Sequence, residues 1–287
     1  MTSRVVSSDS LSVSGIGSQR YLDLLKRTLT YSLWDEPPAP ITFQHWDYRR
    51  PWLKRHLLTL LAKVAALRGW TIVEPRPYTR EQRDAGHLWP ICAHTMIGRR
   101  RLDHLHRCCE TVLAEDIPGD FIETGVWRGG ACILMRGILA AYAIGDRRVF
   151  VADSFCGLPP DTGETDRATQ VALRILAVSR QEVEENFRRY GLLDDQVAFL
   201  EGWFKDTLPT APIARLAVLR LDGDRYSSTW DALTTLHPKL AVGGFCIIDD
   251  YAPAFGAKHA VDDYRQQHGI HAPFDYVDEG CIAWRKA

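Results

Sequence analysis

Acidic residues stand where short apolar runs of this sequence end. They follow five such runs in chain order, as Glu123, Asp153, Glu201, Asp222 and the pair Asp249-Asp250. If the runs are neighbouring strands of a parallel sheet, their carboxyl ends meet at one edge, where such sheets bind ligands. A lone acidic residue there is commonly a helix N-cap or a solvated loop residue. Acidic residues after all five runs favour a functional site.

Asp222, Asp249 and Asp250 are the candidate ligands of a metal ion. Asp222 ends the run L-R-L-D, and the other two end the run F-C-I-I-D-D. Three hard oxygen donors with room for water suit Mg²⁺. Without a cation these carboxylates would repel one another, and at least one would take up a proton. With a cation, a sugar or phenol hydroxyl would bind it and lose its proton to a neighbouring Asp.

A second candidate site begins at residues 120–130, D-F-I-E-T-G-V-W-R-G-G. An apolar run ends at Glu123 and passes into a glycine-rich turn, and a helical pattern follows. Such a turn presents backbone N–H groups and the positive end of a helix dipole to a nucleotide-sized ligand. Asp153, at the end of the next run, is placed to accept hydrogen bonds from the two hydroxyls of a ribose.

Two cofactors use parts of this kind. A dinucleotide sets its anionic pyrophosphate on the glycine turn, and we expect the carboxylate of Glu123 to oppose that anion. The cationic S-adenosylmethionine fits better. An NAD(P)-dependent oxidoreductase is the second hypothesis, since a dinucleotide site has similar parts. It gives the acidic residues at 222, 249 and 250 no role. A non-catalytic binding module is the third, and the same acidic cluster argues against it.

The elements that position these residues alternate between strands and helices. The predicted strands are Phe121–Thr124, Val149–Ala152, Val197–Leu200, Leu216–Leu221 and Gly244–Ile248. Helical patterns lie between them at 131–142, 180–189, 204–207 and 226–236, and residues 274–277 and 281–284 form a closing hairpin. The pattern predicts an α/β fold, a doubly wound and mostly parallel sheet with an antiparallel C-terminal strand.

The N-terminal part is predicted to be helical. Apolar stripes indicate helices at 21–33 and 51–69, ahead of an irregular segment at 76–98 that suits a binding loop. We divide the chain into a mobile tail at 1–18, a helical cap at 19–115 and a cofactor-binding domain at 116–287. The apolar stripes of the cap could pack on the main domain, cover its ligand site or meet a second copy of the chain, and a mixture of cover and dimer contact is favoured. The candidate residues for lining a pocket that binds the substrate are Tyr78, His87, Trp89 and Trp203.

Composition excludes several classes of function. The 35 Lys and Arg residues balance 36 Asp and Glu, and the net charge of -1 provides no field for nucleic acid or an anionic membrane. No apolar run approaches membrane-spanning length. The seven cysteines form no C-x-x-C pair and have no zinc spacing, which indicates reduced core residues in a cytoplasmic protein.

Five motifs together resemble the macrocin O-methyltransferase family (TylF-type). They are I-E-T-G-V-W-R-G-G, V-A-D-S-F-C-G-L-P-P, L-E-G-W-F-K-D-T-L-P, L-D-G-D-R-Y-S-S-T and I-I-D-D-Y, and H-T-M-I-G-R-R-R-L-D at 94–103 also belongs to the set. The resemblance runs from about Tyr21 to the C-terminus. Several motifs in the family's order make it specific at family level.

The resemblance implies a class I methyltransferase, Rossmann-like fold that uses S-adenosylmethionine and Mg²⁺ to methylate a sugar hydroxyl of a glycosylated natural product, as in antibiotic biosynthesis. Asp222, Asp249 and Asp250 would hold the metal, with Asp222 as the general base. The residues implied at the cofactor site are Met96, Glu123, Gly125, Asp153, Ser154, Gly202 and Trp203, with Thr95 beside them. The family also implies that the N-terminal region forms part of the acceptor pocket and of a homodimer.

The sequence departs from the family pattern at two places. The segment between Pro160 and Glu182 is shorter than is usual, and that segment normally helps to cover the acceptor. Arg225, in the run D-G-D-R-Y, places a cation near the metal carboxylates. Both departures concern the acceptor more than the methyl-transfer chemistry.

Overall fold

A seven-stranded sheet forms the framework of the chain. The structure is a computed structural model, and it describes residues 15–41, 51–75, 79–86, 90–159, 176–253 and 256–287. The sheet strands are β3 (Asp120–Thr124), β4 (Val149–Asp153), β5 (Val197–Glu201), β6 (Leu216–Leu221), β7 (Leu240–Ile248), β8 (Asp275–Tyr276) and β9 (Ile282–Arg285). The two-residue strands β1 (Ala39–Pro40) and β2 (Val73–Glu74) pair with each other outside it.

The strand order is β5-β4-β3-β6-β7-β9-β8. Strands β3 to β7 are parallel, whereas β9 runs antiparallel to both β7 and β8. The chain therefore adds β4 and β5 on one side of β3 and then crosses over to add β6 and β7 on the other side. Ligand crevices in doubly wound sheets lie at such a reversal. The predicted α/β fold with an antiparallel C-terminal strand is confirmed.

Nine α-helices occur in the described part of the chain. They are α1 (Gly15–Leu29), α2 (Trp52–Ala66), α3 (Arg80–Asp84), α4 (Arg99–Ala114), α5 (Gly130–Ala141), α6 (Arg180–Arg189), α7 (Phe204–Thr207), α8 (Tyr226–Leu236) and α9 (Gly256–Gln267). None of them combines the length and the apolar character needed to cross a membrane.

Strand alternation divides the interior into two apolar cores, one on each face of the sheet. Phe121 packs in the core that contains side chains of α1, α4, α5 and α6. Its neighbour Ile122 points to the other face and packs with side chains of α8 and α9. Both faces of the central strands are covered by helices, which explains why these strands are apolar at nearly every position before their ends.

The N-terminal helix starts earlier than the sequence pattern predicts. We expected residues 1–18 to be a mobile tail, but α1 already begins at Gly15, so the prediction is wrong for 15–18. The Ser18 hydroxyl donates a 3.0 Å hydrogen bond to the carbonyl oxygen of Ala141, which holds this end of α1 against α5. Residues 1–14 lie outside the described residues. The helix ends at Leu29, before the predicted end at 33, and Tyr31 has a left-handed backbone.

Helix α2 presents its apolar stripe to solvent. It begins at Trp52 with Pro51 as its N-cap, close to the predicted start, and it ends at Ala66, before the predicted end at 69. The stripe consists of Trp52, Leu53, Leu57, Leu60, Leu61, Val64 and Leu67, which are 45–87% exposed. A contiguous exposed apolar face of this kind marks an interaction surface on most soluble proteins. Helix α1 differs, because its Leu22, Leu25 and Leu29 are buried in the main core.

Candidate functional site

A cavity of about 410 Å³ opens at the carboxyl ends of β3, β4, β5 and β6. The described residues that line it are Met96, Gly125, Trp127, Asp153, Ser154, Gly157, Leu158, Pro159, Leu176, Gly202, Trp203, Phe204, Lys205, Asp222, Gly223, Asp224, Ser227, Ser228 and Asp231. Seven of the eleven predicted site residues are in this lining. The other four are Thr95, Glu123, Asp249 and Asp250. The structure thus brings most of the predicted cofactor residues together around one space.

The glycine turn after β3 approaches the end of β6 very closely. Gly125 has φ +85°, and a Cβ atom added to it would lie 1.8 Å from the carbonyl oxygen of Asp222. Gly129, with φ +84°, is the N-cap of α5. Glycine is needed at Gly125 for two reasons, the left-handed backbone and the space. The contact joins the predicted cofactor turn to the predicted metal site.

Asp153 links the turns that follow β3 and β4. Its Oδ2 accepts a 2.8 Å hydrogen bond from the backbone N–H of Val126, and its Oδ1 accepts one of the same length from Phe155. Burial raises the pKa of Asp153, while these N–H groups oppose the increase by stabilising the charged form. The carboxylate lies in the cavity wall and fixes the shape of the turns. Its proposed contact with ribose hydroxyls stays a prediction.

Glu123 lies beneath the glycine turn and outside the cavity lining. Its side chain is 3% exposed and bonds through Oε1 to Nη1 of Arg220. The thiol of Cys132 donates to Oε2 at 3.0 Å. Burial raises the pKa of Glu123 to about 7 despite the neighbouring arginine. Because the guanidinium of Arg220 offsets its charge, Glu123 does not distinguish a cationic ligand from an anionic one, contrary to the expectation that its carboxylate would oppose a pyrophosphate.

The three predicted metal ligands converge as expected. One carboxylate oxygen from each of Asp222, Asp249 and Asp250 lies within 4.8 Å of the others. The parallel register explains the convergence, since Leu221 on β6 pairs with Ile248 on β7 and the acidic residues follow directly. Asp222 is the member that also lines the cavity.

Crowding raises the affinity of this cluster for protons. Burial, followed by the charge of Asp249, raises the pKa of Asp222 to about 6. Burial and the neighbouring carboxylates raise the pKa of Asp250 well above its ordinary range. Such a set of hard oxygen donors fits a divalent cation, which would offset the repulsion between the carboxylates.

Two arginines hold the cluster, and sequence reasoning missed both. Arg220 is 1% exposed and contacts carboxylates of Glu123, Asp222 and Asp249. Arg101 donates to Asp249 Oδ2 at 2.8 Å and to Asp278 Oδ2 at 2.7 Å. The signal for Arg220 was present, since an arginine inside an otherwise apolar strand needs a buried partner. Arg101 carried no such signal, because its partners lie about 150 residues or more away in sequence.

Asp224 is a further cavity residue that was not predicted. Its backbone is left-handed, with φ +56°, and its N–H donates to Asp250 Oδ2 at 3.1 Å. Burial and the charges of Asp222 and Asp249 raise its pKa to about 7, while the charge of Arg225 lowers it. The charge of Arg225, which we expected near the metal carboxylates, therefore acts on Asp224. In the sequence, the spacing D-G-D could have indicated Asp224 as a second acidic residue at the site.

The segment before α4 docks on the start of α5 and places Met96 in the cavity. Arg128 donates to the carbonyl oxygens of Ile91 and Ala93 at 2.9 and 2.8 Å, and stacks at 4.3 Å on the ring of Trp127. Thr95 is buried against Gly130 rather than exposed in the cavity. The remaining acceptor candidates Tyr78, His87 and Trp89, and most of the short segment after Pro159, lie outside the described residues.

Glu201 does not join the acidic cluster. Its side chain is 53% exposed and pairs with Arg180 at 3.4 Å. Strand β5 lies at the edge of the sheet and is separated from β6 by β4 and β3, so Glu201 does not reach the carboxylates that follow β6 and β7. Acidic residues at all five strand ends therefore do not form one site.

A family model described as Macrocin-O-methyltransferase (TylF) matches residues 18–286. Among curated proteins, the chain is 46% identical to demethyldecarbamoylnovobiocin O-methyltransferase of Streptomyces niveus, with 94% of each chain covered. It is 50% identical to 8-demethyl-8-(2,3-dimethoxy-alpha-L-rhamnosyl)-tetracenomycin-C 4'-O-methyltransferase of Streptomyces olivaceus, over 81% of this chain and 90% of that one.

A solved structure shares the fold over almost the whole chain. The O-methyltransferase NovP superposes with a TM-score of 0.78 at 44% sequence identity, covering 94% of this chain and 99% of that one. Together with the family model, this similarity confirms the resemblance inferred from the motifs.

Replacing Gly125 by Ala tests the close approach of the two turns. The left-handed backbone alone costs about 1–3 kcal/mol, and the clash with the Asp222 carbonyl adds to that. We expect the free energy of unfolding, measured with urea, to fall by at least that amount. Gly145→Ala is the matched control, since nothing lies within 4 Å of the added atom. Equal stability of the two variants would contradict the described contact.

Proposed function

The chain belongs to the macrocin O-methyltransferase family, and from this membership we propose that it transfers the methyl group of S-adenosylmethionine to a sugar hydroxyl of a glycosylated natural product. The membership makes it an O-methyltransferase. One observation of the structure supports the finer proposal most strongly. Asp222 belongs both to the cavity wall, beside the glycine turn, and to the cluster of carboxylates suited to a divalent cation.

The chain's own residues would perform the following work. The turn at Gly125 and the carboxylate of Asp153 shape one part of the cavity for the cofactor, with Gly202 and Trp203 at the end of β5 as further wall. Asp222 would accept the proton of the acceptor hydroxyl as that oxygen attacks the sulfonium methyl in line. The sulfur–carbon bond would break as the oxygen–carbon bond forms, and S-adenosylhomocysteine would be the second product. Alignment of the reactants accounts for much of the rate.

Asp222, Asp249 and Asp250 would hold Mg²⁺. When bound, the ion would lower the pKa of the acceptor hydroxyl and offset the charge of the carboxylates. Metal binding gives the three carboxylates a function, whereas hydride transfer would leave them without one. Membership of the methyltransferase family excludes the oxidoreductase hypothesis. A binding module without catalysis would have no use for a proton acceptor at Asp222.

A sugar hydroxyl is the proposed acceptor because the tetracenomycin relative acts, by its name, on a rhamnosyl-bearing compound. A polar cavity wall of Ser227, Ser228 and Asp224 next to Asp222 suits a polyhydroxylated group. We also propose a cytoplasmic location, since all seven cysteines are free thiols, as a reducing compartment maintains them.

A second copy of the chain is the proposed partner of the α2 stripe. Closed two-fold dimers bury the same patch on both subunits, and the stripe defined above has no cover in the described part of the chain. The family resemblance implies a homodimer in this region. The N-terminal residues would then contribute to acceptor binding from beside the cavity.

Replacing Asp222 by Asn tests the proton-acceptor role. The amide keeps the shape but cannot take the proton, so we expect turnover to fall by about 10²- to 10⁴-fold. Release of S-adenosylhomocysteine is measured with a panel of deoxysugar glycosides that includes demethyldecarbamoylnovobiocin. Calorimetry should show S-adenosylhomocysteine binding within a few-fold of wild type. Asp195→Asn, at an exposed position outside the site, should behave as wild type, and full turnover by Asp222→Asn would exclude the role.

Mg²⁺ binding should release protons, and more at pH 6 than at pH 8. The pKa of Asp222 is about 6 and that of Asp250 is raised, so these groups retain protons at pH 6 that the cation must displace. At pH 8 Asp222 is already ionised and releases little. Titration calorimetry in buffers of different ionisation enthalpy measures the number released. Binding heats that do not depend on the buffer at pH 6, or turnover that survives EDTA, would contradict the metal site.

The oligomeric state tests the α2 surface. Sedimentation should give twice the 32.5 kDa chain mass for wild type, and the single-chain mass for Leu57→Glu/Leu61→Glu. Leu24→Glu is the matched control, because Leu24 is 51% exposed on another helix. A double variant that still sediments as a dimer would place the interface elsewhere.

A further inference from the structure

Arg220 is a buried cation inside a strand, and the sheet register determines what surrounds it. On β6 it shares a face with Asp222, two residues later. It pairs laterally with Glu123 on β3 and with Ile247 on β7. Asp249 lies two residues beyond Ile247, and therefore on the same face. Three carboxylates from three adjacent strands are thus directed at one guanidinium.

The guanidinium of Arg220 donates hydrogen bonds to all three carboxylates. Nη1 donates to Glu123 Oε1 and, at 2.9 Å, to Asp222 Oδ2, while Nη2 donates to Asp249 Oδ1. A planar guanidinium is able to hold several carboxylates at fixed angles, which a single ammonium group does not do. The relative positions of Asp222 and Asp249 are therefore tied to one rigid group.

Arg101 completes the restraint on Asp249 from the other side. Its Nη1 bonds to Asp249 Oδ2 at 2.8 Å and to the Asp249 carbonyl at 3.1 Å. Both carboxylate oxygens of Asp249 are held by arginines, whereas Asp222 has one oxygen held by Arg220. Arg101 does not bridge Asp249 to Asp222. Among the residues that the structure describes, Arg220 is the side chain that bonds to both Asp222 and Asp249.

We propose that Arg220 is a positioning residue for the divalent cation: it fixes the spacing and orientation of Asp222 and Asp249 so that the acidic cluster is preformed for metal. This inference rests on the proposed function. If Arg220 acted through its positive charge alone, it would only repel a cation, and a substitution that keeps the charge would leave metal affinity unchanged. Geometry and charge are therefore separable by experiment.

Arg220→Lys keeps the charge and removes the planar fork. Loss of a partner that orients metal ligands lowers metal affinity by about 10- to 100-fold, and we expect a decrease in that range. Mn²⁺ serves as the probe, with the free ion measured by electron paramagnetic resonance. S-adenosylhomocysteine binding, measured without metal, should stay within a few-fold of wild type. The kcat should fall at saturating cofactor.

Arg136→Lys is the matched control. Arg136 is also a buried arginine, 7% exposed, and it pairs with Asp194 far from the acidic cluster. The control should leave Mn²⁺ affinity unchanged. Unchanged Mn²⁺ affinity in Arg220→Lys would overturn the positioning role, and so would equal losses of Mn²⁺ and S-adenosylhomocysteine binding, which indicate general unfolding of the site. A wild-type protein that binds no Mn²⁺ would instead overturn the proposed function itself.

Discussion

The pairing of one buried guanidinium with carboxylates from three strands is the interaction on which the site depends. A buried arginine is stable only when it is paired and hydrogen-bonded. Arg220 meets that requirement only in the observed register, because a shift of one residue would turn its side chain to the opposite face of the sheet, into the apolar core of Ile122 and Leu221. The charge that organises the acidic cluster therefore also helps to specify how β3, β6 and β7 align.

The ends of β3 and β6 bring the predicted cofactor turn next to the proposed proton acceptor. Gly125 allows the glycine turn to approach the backbone of Asp222, and Asp222 is part of the cavity wall. A ligand held by the turn is consequently next to the carboxylate proposed to accept a proton. Because Asp153 fixes the turn through backbone N–H groups and Arg220 restrains Asp222, the site is largely preorganised. Preorganised polar groups are what transition-state stabilisation requires.

The N-terminal helices divide into two roles. Helix α1 buries its leucines in the main core and is an integral part of the domain. Helix α2 keeps its stripe exposed, so its apolar residues contribute little to the stability of the single chain. The N-terminal region therefore contributes to the core through α1, whereas α2 offers an exposed apolar surface that we propose is covered by a second copy of the chain.

The sequence by itself determined the strands, the glycine turn, the antiparallel closing strand and the convergence of Asp222, Asp249 and Asp250. Local periodicity encodes these features, and the parallel order of strands brings their ends together. Tertiary structure alone decided the rest. Glu123 is buried against Arg220 and does not line the cavity. Glu201 lies outside the acidic cluster because β5 is an edge strand, and α1 begins at Gly15, where it packs on α5. Each outcome depends on contacts between residues far apart in sequence, which no local pattern records.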